Sequence, residues 1–312
     1  MLKTTPELFL LSSFNFSKMR TVFDYNNTEK NGFASNVQRI IIEDFNGDGI
    51  DDIFVPNASV ALNNGKFTYK AINHVFISTG PNKWKQSKHT GHLVDKKTAT
   101  YLGFSHGSDA GDIDNDGDVD VVTTDFSGAI CHFNDGKGNF KAKKCTGNTT
   151  FSVTLGDFNN DGLQDLVITW ATFPHTLERA SRYNYSIFIN NGDGSMTYDH
   201  EAVASPTAHN NHMAYRTKTA DFNGDGLDDI ISASMGLIQR LPGQDPNTRW
   251  ERIPLLLSLG DGRFYDGSTN IEGQEDNISP PEGHSFGHEL SIGDVDGDGD
   301  VDIYTGKILL LN

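Results

Sequence analysis

Five stretches of nine residues concentrate carboxylates at a spacing suited to one chemistry, the wrapping of a hard cation by oxygen. They read DFNGDGIDD at 44–52, DIDNDGDVD at 112–120, DFNNDGLQD at 157–165, DFNGDGLDD at 221–229 and DVDGDGDVD at 294–302. Side-chain oxygens fall at positions 1, 3, 5 and 9, Gly at position 6 permits a sharp turn, and residue 7 offers its backbone carbonyl. Five or so oxygens, completed by water, meet the six-to-eight demand of Ca²⁺; Mg²⁺, with its strict octahedron, is the poorer match. The candidate ligands in the first repeat are Asp44, Asn46, Asp48, Ile50 through its carbonyl, and Asp52. The second offers Asp112, Asp114, Asp116, Asp118 and Asp120, and the third Asp157, Asn159, Asp161, Leu163 and Asp165. The fourth offers Asp221, Asn223, Asp225, Leu227 and Asp229, and the fifth Asp294, Asp296, Asp298, Asp300 and Asp302. Asp, Asn and Gly also make good turns, but five copies with one oxygen spacing go beyond what turn formation requires. About five Ca²⁺ ions would bring ten positive charges to a chain of formal charge -17. The acidity is therefore mostly a property of these loops. The opening of each nonamer is that of an EF-hand loop, yet no Glu stands at position 12 and both flanks read as strands.

Positioning such loops requires strand on either side, and the shortest interval between repeats shows the unit. DVDVVTTD reads as a strand, AICHFNDGKGNF as a strand entering a Gly-rich turn, KAKKC as the return strand, and TFSVTLGD as the strand leading into the next nonamer. The turn recurs as LNNGKF, INNGDGSM and LSLGDGRF. Motif starts are 68, 45, 64 and 73 residues apart, so a constant unit carries loops of variable length. Four short antiparallel strands per repeat predict an all-β chain, a β-propeller whose blades close into a ring without exposed edges; a solenoid is the alternative. One propeller domain is expected over residues 1–312. The last repeat ends in ILLLN, its third strand, so residues 1–35, for example SKMRTVFDY, are expected to lead in and supply the closing strand.

The pattern resembles the FG-GAP and VCBS repeats of integrin α-subunit-like propellers, best in the fifth repeat, FGHELSIGDVDGDGDVDIYTG from Phe286. The resemblance covers the chain from about residue 36. It implies a calcium-bearing propeller, extracellular or on the cell surface, used for adhesion or glycan binding. Two features depart from the family pattern. The terminal GAP is replaced by VPN, TTD, ITW, SAS and TGK, and five motif-bearing blades are fewer than the family's usual seven, which leaves six or seven blades with degenerate repeats as the alternative.

If each nonamer joins strands one and two, the turns between strands three and four share its face, and the long unequal loops collect opposite. Variable loops on a rigid scaffold are where binding is expected. Those loops carry Trp170, Arg182, Tyr183, Arg249 and Trp250, whose rings and guanidinium groups suit a sugar face or a protein anchor, or else plug the gaps between loops. His106 and His288 stand six residues before the first aspartate of their repeats, where they would ring the channel mouth. They are read as ligand contacts or, more simply, as packing against the neighbouring blade. The expected ligand is a glycan or a protein. No basic run offers a nucleic-acid stripe, and no apolar run is long enough to span a membrane. The run Leu8–Leu11 is too short for the core of a signal peptide. No nucleophile elbow, P-loop or dinucleotide fingerprint appears. A binding module is thus the first reading; a glycosidase or polysaccharide lyase with its site assembled from separate blades, and a structural subunit of a surface assembly, are the alternatives. Cys131 and Cys145 flank one turn asymmetrically and are either bridged, with a bulge or strand end to accommodate them, or reduced.

Overall fold

A strand buried along its whole length must be covered on both faces. Asp120–Asp125 and Asp165–Thr169 behave in this way, with every residue buried. The computed structural model describes residues 39–56, 62–63, 66–67, 73–80, 83–91, 94–95, 100–101, 106–125, 128–147, 150–169, 185–199, 202, 214–234, 253–272, 289–305 and 308–312. In it both strands are the second strand of a four-stranded sheet standing between similar sheets.

The first blade comprises Ile41–Glu43, Asp52–Val55, His74–Gly80 and Lys83–Gln86. The second comprises Ser108–Gly111, Asp120–Asp125, Gly128–Asn134 and Phe140–Lys144. Ser152–Gly156, Asp165–Thr169, Tyr185–Asn190 and Met196–Asp199 form the third. Ala214–Ala220, Asp229–Ser234, Leu255–Ser258 and Phe264–Asp266 form the fourth. The fifth shows Ser291–Gly293, Asp302–Tyr304 and Leu309–Leu310 among the described residues. Strands follow chain order and pair antiparallel in every blade. The first strands of successive blades lie against one another, so they line the centre. The chain is an all-β propeller of five blades. The expected closing strand within 1–35 lies outside the described residues.

The core sits between blades rather than within them. Phe45 and Phe54 of blade one meet Val121 and Phe140 of blade two; Ile113 and Val122 meet Val153 and Leu166; Phe158 and Val167 meet Ile230 and Phe264; Phe222 and Ile231 meet Leu290 and Ile303. Each phenylalanine so buried stabilises the fold by roughly 1.5–3 kcal/mol. Among the described residues no such cluster joins blade five to blade one. There Ile40 and Ile42 on one side, and Val295, Tyr304, Leu309 and Leu311 on the other, remain exposed.

A polar latch accompanies this packing. The residue ending the third strand sends its carboxamide to the previous blade: Asn134 Nδ2 donates to Phe45 O at 2.8 Å, Asn190 Nδ2 to Ile113 O at 2.8 Å, and Asn312 Nδ2 to Phe222 O at 2.8 Å. In blade four this place is held by Ser258, and the Gly262 amide donates to Phe158 O instead.

Two expectations resolve differently from the plain repeat. LNNGKF is not the turn between the third and fourth strands of blade one. NNGK instead closes a separate hairpin, Leu62–Asn63 with Lys66–Phe67, and blade one turns at 80–83. Asn-Gly makes a good hairpin wherever flanking residues can pair, so the motif alone does not locate the blade turn. Cys131 and Cys145 are bridged, with Cα atoms 5.8 Å apart. Cys131 sits opposite Lys143, and Cys145 lies just past the end of the fourth strand, which is how an asymmetric pair reaches one another. Among the described residues no helix is long and apolar enough to cross a membrane.

Two measurements test this packing. Asn190 Nδ2 also donates to Gln164 O at 2.9 Å, so Asn190→Ala strips partners from two carbonyls. It is expected to cost about 1–3 kcal/mol in urea denaturation. His74 is buried, and burial holds its imidazole below the ordinary histidine range, with Gln86 Nε2 2.8 Å from Nδ1. A depressed histidine favours the neutral form in the fold, so its stabilisation is present above about pH 6.5 and lost as pH falls below it. His74→Phe is expected to flatten the dependence of melting temperature on pH between about 6.5 and 5.

Candidate metal centres

Each acidic nonamer folds through the same internal bonds. The position-1 carboxylate accepts two or more amides from the loop. In the first repeat, Asp44 Oδ1 accepts from Asp48 N at 3.1 Å and Oδ2 from Gly49 N at 2.6 Å; Asp112, Asp157 and Asp221 repeat this pair of bonds. Against a small burial cost, the amides of Gly49 and Asp48 hold the Asp44 carboxyl below its ordinary range. Position 6 is left-handed in every loop, with φ from 81° at Gly49 to 100° at Gly299, which is why glycine stands there. Position 4 is left-handed too, and the two loops without glycine there use Asn115 and Asn160, the side chain that best tolerates it.

Position 9 does more than the ligand pattern indicates. Asp52, Asp120, Asp165, Asp229 and Asp302 are all buried, and each carboxylate joins two amides. One comes from position 2 of its own loop, as in Phe45 N to Asp52 Oδ2 at 3.1 Å and Ile113 N to Asp120 Oδ2 at 3.0 Å. The other comes from the third strand or the residue just past it: Ser78, Asn134, Asn190, Ser258 and Asn312. Burial pushes Asp120 up to about 7 and Asp165 and Asp229 to about 6, against the pull of those amides. In Asp302 the amide bonds from Val295 and Asn312 prevail, and the carboxyl lies below its ordinary range.

Position 3 divides the loops into two kinds. In the first, third and fourth it is asparagine, whose Nδ2 donates to the position-5 carboxylate: Asn46 to Asp48 at 3.1 Å, Asn159 to Asp161 at 2.9 Å and Asn223 to Asp225 at 2.9 Å. In the second and fifth it is Asp114 and Asp296, which bring another carboxylate in place of that donor. Among the described residues, the two acidic groups with their oxygens within 4.8 Å of one another lie in these two loops: Asp112, Asp114 and Asp116, and Asp294, Asp296 and Asp302. Asp114 Oδ1 is buried with no hydrogen-bond partner. Burial, then Asp116 and Asp112, raise its carboxyl above the ordinary range, and burial followed by Asp298 does the same at Asp296. An all-oxygen donor set with an unsatisfied buried oxygen fits a hard divalent cation.

The other sequence candidates are placed unevenly. Trp170, Arg182, Tyr183, Arg249, Trp250 and His288 lie outside the described residues. His106 is buried at the start of the inner strand of blade two, its ring 5.2 Å from Phe151, and its carbonyl accepts a bond from Arg216 Nη1. The latch asparagines and the clamp at position 9 were not foreseen. Their signal is the residue that opens each turn, Asn134, Asn190 and Asn312, which recurs in the sequence without any hint of its partner.

Fold and loops together define a β-propeller carrying one acidic loop between the first two strands of each blade. The FG-GAP-like repeat pattern matches residues 44–123, 112–168 and 221–305, and the chain belongs to that family. Among solved structures it is similar to an Agrocybe aegerita lectin that recognises non-reducing terminal N-acetylglucosamine, at 17% identity and a TM-score of 0.49, covering 86% of this chain and 60% of that one. It is also similar to the V. cholerae biofilm matrix protein Bap1, at 15% identity and a TM-score of 0.32, over 72% of this chain and 38% of that one. The Bacillus licheniformis rhamnogalacturonan lyase PL11 matches at 12% identity and a TM-score of 0.37, over 89% and 59%. This chain thus spans 60% or less of the length of each.

Asp114→Asn tests the division of the loops. The amide it introduces can satisfy Asp116 as Asn46 satisfies Asp48, so the metal-free melting temperature is expected to rise. The further rise on adding calcium is expected to shrink relative to wild type, by scanning fluorimetry in EDTA and in millimolar calcium.

Proposed function

We propose that the protein is a calcium-stabilised binding module that works outside the cell and recognises a glycan or a protein through the face opposite its acidic loops. The observation carrying this reading is the segregation of loops. All five nonamers join first to second strands, and the short turns after Asn134, Asn190 and Ser258 lie beside them, tied by the bonds to Asp120, Asp165 and Asp229. That face is occupied by loops bonded to themselves. The connections on the other face are long and unequal, 170–184 and 235–252 among them, and Trp170, Arg182, Tyr183, Arg249 and Trp250 belong to these.

Calcium enters as a structural ion in this reading. Asp112, Asp114 and Asp116 in blade two, and Asp294, Asp296 and Asp302 in blade five, would hold it first. Bound there, it supplies positive charge where carboxylates otherwise face one another. The extracellular setting is supported by the Cys131–Cys145 bridge, since disulfides persist in oxidising compartments, and by the millimolar calcium available there to weak sites.

Millimolar calcium is expected to raise the melting temperature over EDTA by about 5 °C or more, and equal values would remove the structural metal. A glycan array and a pull-down, both with calcium present, identify the ligand. Against that ligand, Trp170→Ala and Trp250→Ala are expected to weaken binding by about tenfold or more while leaving calcium affinity intact. Unchanged binding in both variants would move the site elsewhere.

A further inference from the structure

The inner strands carry a charge pattern that the acidic loops do not explain. Arg39 and Arg216 each stand five residues before the first aspartate of their loop, and Asp109 and Lys218 each stand three before theirs. These positions fall on one side of a strand, two residues apart. Arg216 and Lys218 belong to blade four. Arg216 Nη1 donates to the carbonyl of His106 in blade two, and Lys218 lies within electrostatic reach of Arg39 in blade one and Asp109 in blade two. Blade four packs against three and five, so these contacts are made across the central channel.

Acceptors are scarce at that level. Asp109 is already committed, since its Oδ1 lies 3.7 Å from Arg39 and its Oδ2 accepts from Thr154 Oγ1 at 2.7 Å and Leu155 N at 3.0 Å. Glu43 lies nearer the metal face, and Glu289, in the register of Arg39 and Arg216 on blade five, is exposed and makes no ion pair among the described residues. The Lys218 side chain likewise has no hydrogen-bond or ion-pair partner among the described residues. Burial, with Arg39 beside it, holds its ammonium below the ordinary lysine range. Three cations thus converge in a chain of formal charge -17. The wall between them bears hydroxyls, with Ser152 Oγ 2.8 Å from Thr217 Oγ1.

We propose that this stretch of the channel, on the loop-rich side of Asp109, is an anion subsite that takes the carboxylate of an acidic sugar, with Lys218 and Arg39 facing the carboxylate and the Ser and Thr hydroxyls facing the ring. The proposal rests on the binding-module reading and names the ligand class for it. A buried cation lacking a counterion is stabilised most by a charge-assisted bond, which a neutral sugar cannot offer.

Isothermal titration at fixed free calcium compares D-glucuronate with D-glucose. Glucuronate is expected to bind at least about tenfold more tightly. Lys218→Met is expected to abolish that preference, and Lys218→Arg to keep it. The calcium-induced rise in melting temperature should be the same in both variants as in wild type, which separates loss of the subsite from loss of the fold. As a second readout, glucuronate should slow reductive methylation of Lys218 in the wild-type protein. Equal binding of the two sugars, binding of neither, or a preference that survives Lys218→Met would overturn the subsite. A protein that captures neutral glycans through Trp170 and Trp250 but ignores glucuronate would lose this proposal and keep the wider one. A protein that captures no glycan or protein at all would lose the wider one.

Discussion

The structure depends on a carboxylate placed where a strand begins. The last aspartate of each nonamer is buried, and its two oxygens hold an amide of its own loop and an amide at the end of the third strand. Those two amides would otherwise be left without partners at the edge of the blade, where burial makes an unmet donor costly. One side chain therefore fixes the loop, the start of the second strand and the end of the third together. The charge that does this is itself poorly solvated, as the upward push on Asp120, Asp165 and Asp229 records. A fold that repeats this arrangement five times accumulates negative charge at one face, and a cation there relieves it.

The same few residues connect the blades. The third-strand residue whose amide meets the position-9 carboxylate is, in three blades, the asparagine whose side chain crosses to the carbonyl of position 2 in the preceding loop. Position 2 in turn buries Phe45, Ile113, Phe158 and Phe222 in the interblade cores. Loop conformation, strand pairing and blade packing are thus different aspects of one bonded unit. A second link runs through position 8, where Asp228 of blade four accepts the amide of Asp157 in blade three.

The architecture was legible because the nonamer is rigidly constrained. Gly at position 6 answers a positive φ, Asn or Gly at position 4 answers another, and the alternation of oxygens marks the loop interior. Strands without alternation, such as DVVTTD, signalled cover on both faces. What stayed hidden depended on partners far along the chain. Asn190 reaches Ile113 across 77 residues, and nothing near Asn190 announces it. LNNGKF misled because local turn chemistry is satisfied equally by a blade turn and by an inserted hairpin. The difference between asparagine and aspartate at position 3 was visible in the letters. Its meaning required seeing that Asn46 Nδ2 points back at Asp48.

Propeller blades that touch only their neighbours would behave as a one-dimensional array, each unit gaining or losing order with the next. The contact from Arg216 to the carbonyl of His106 departs from that scheme, because it links blades two and four without passing through three. Melting blade four withdraws a buried guanidinium from blade two, so the three central blades share one opening equilibrium. Their amide protons would exchange on a common timescale, as a single cooperative unit within the ring.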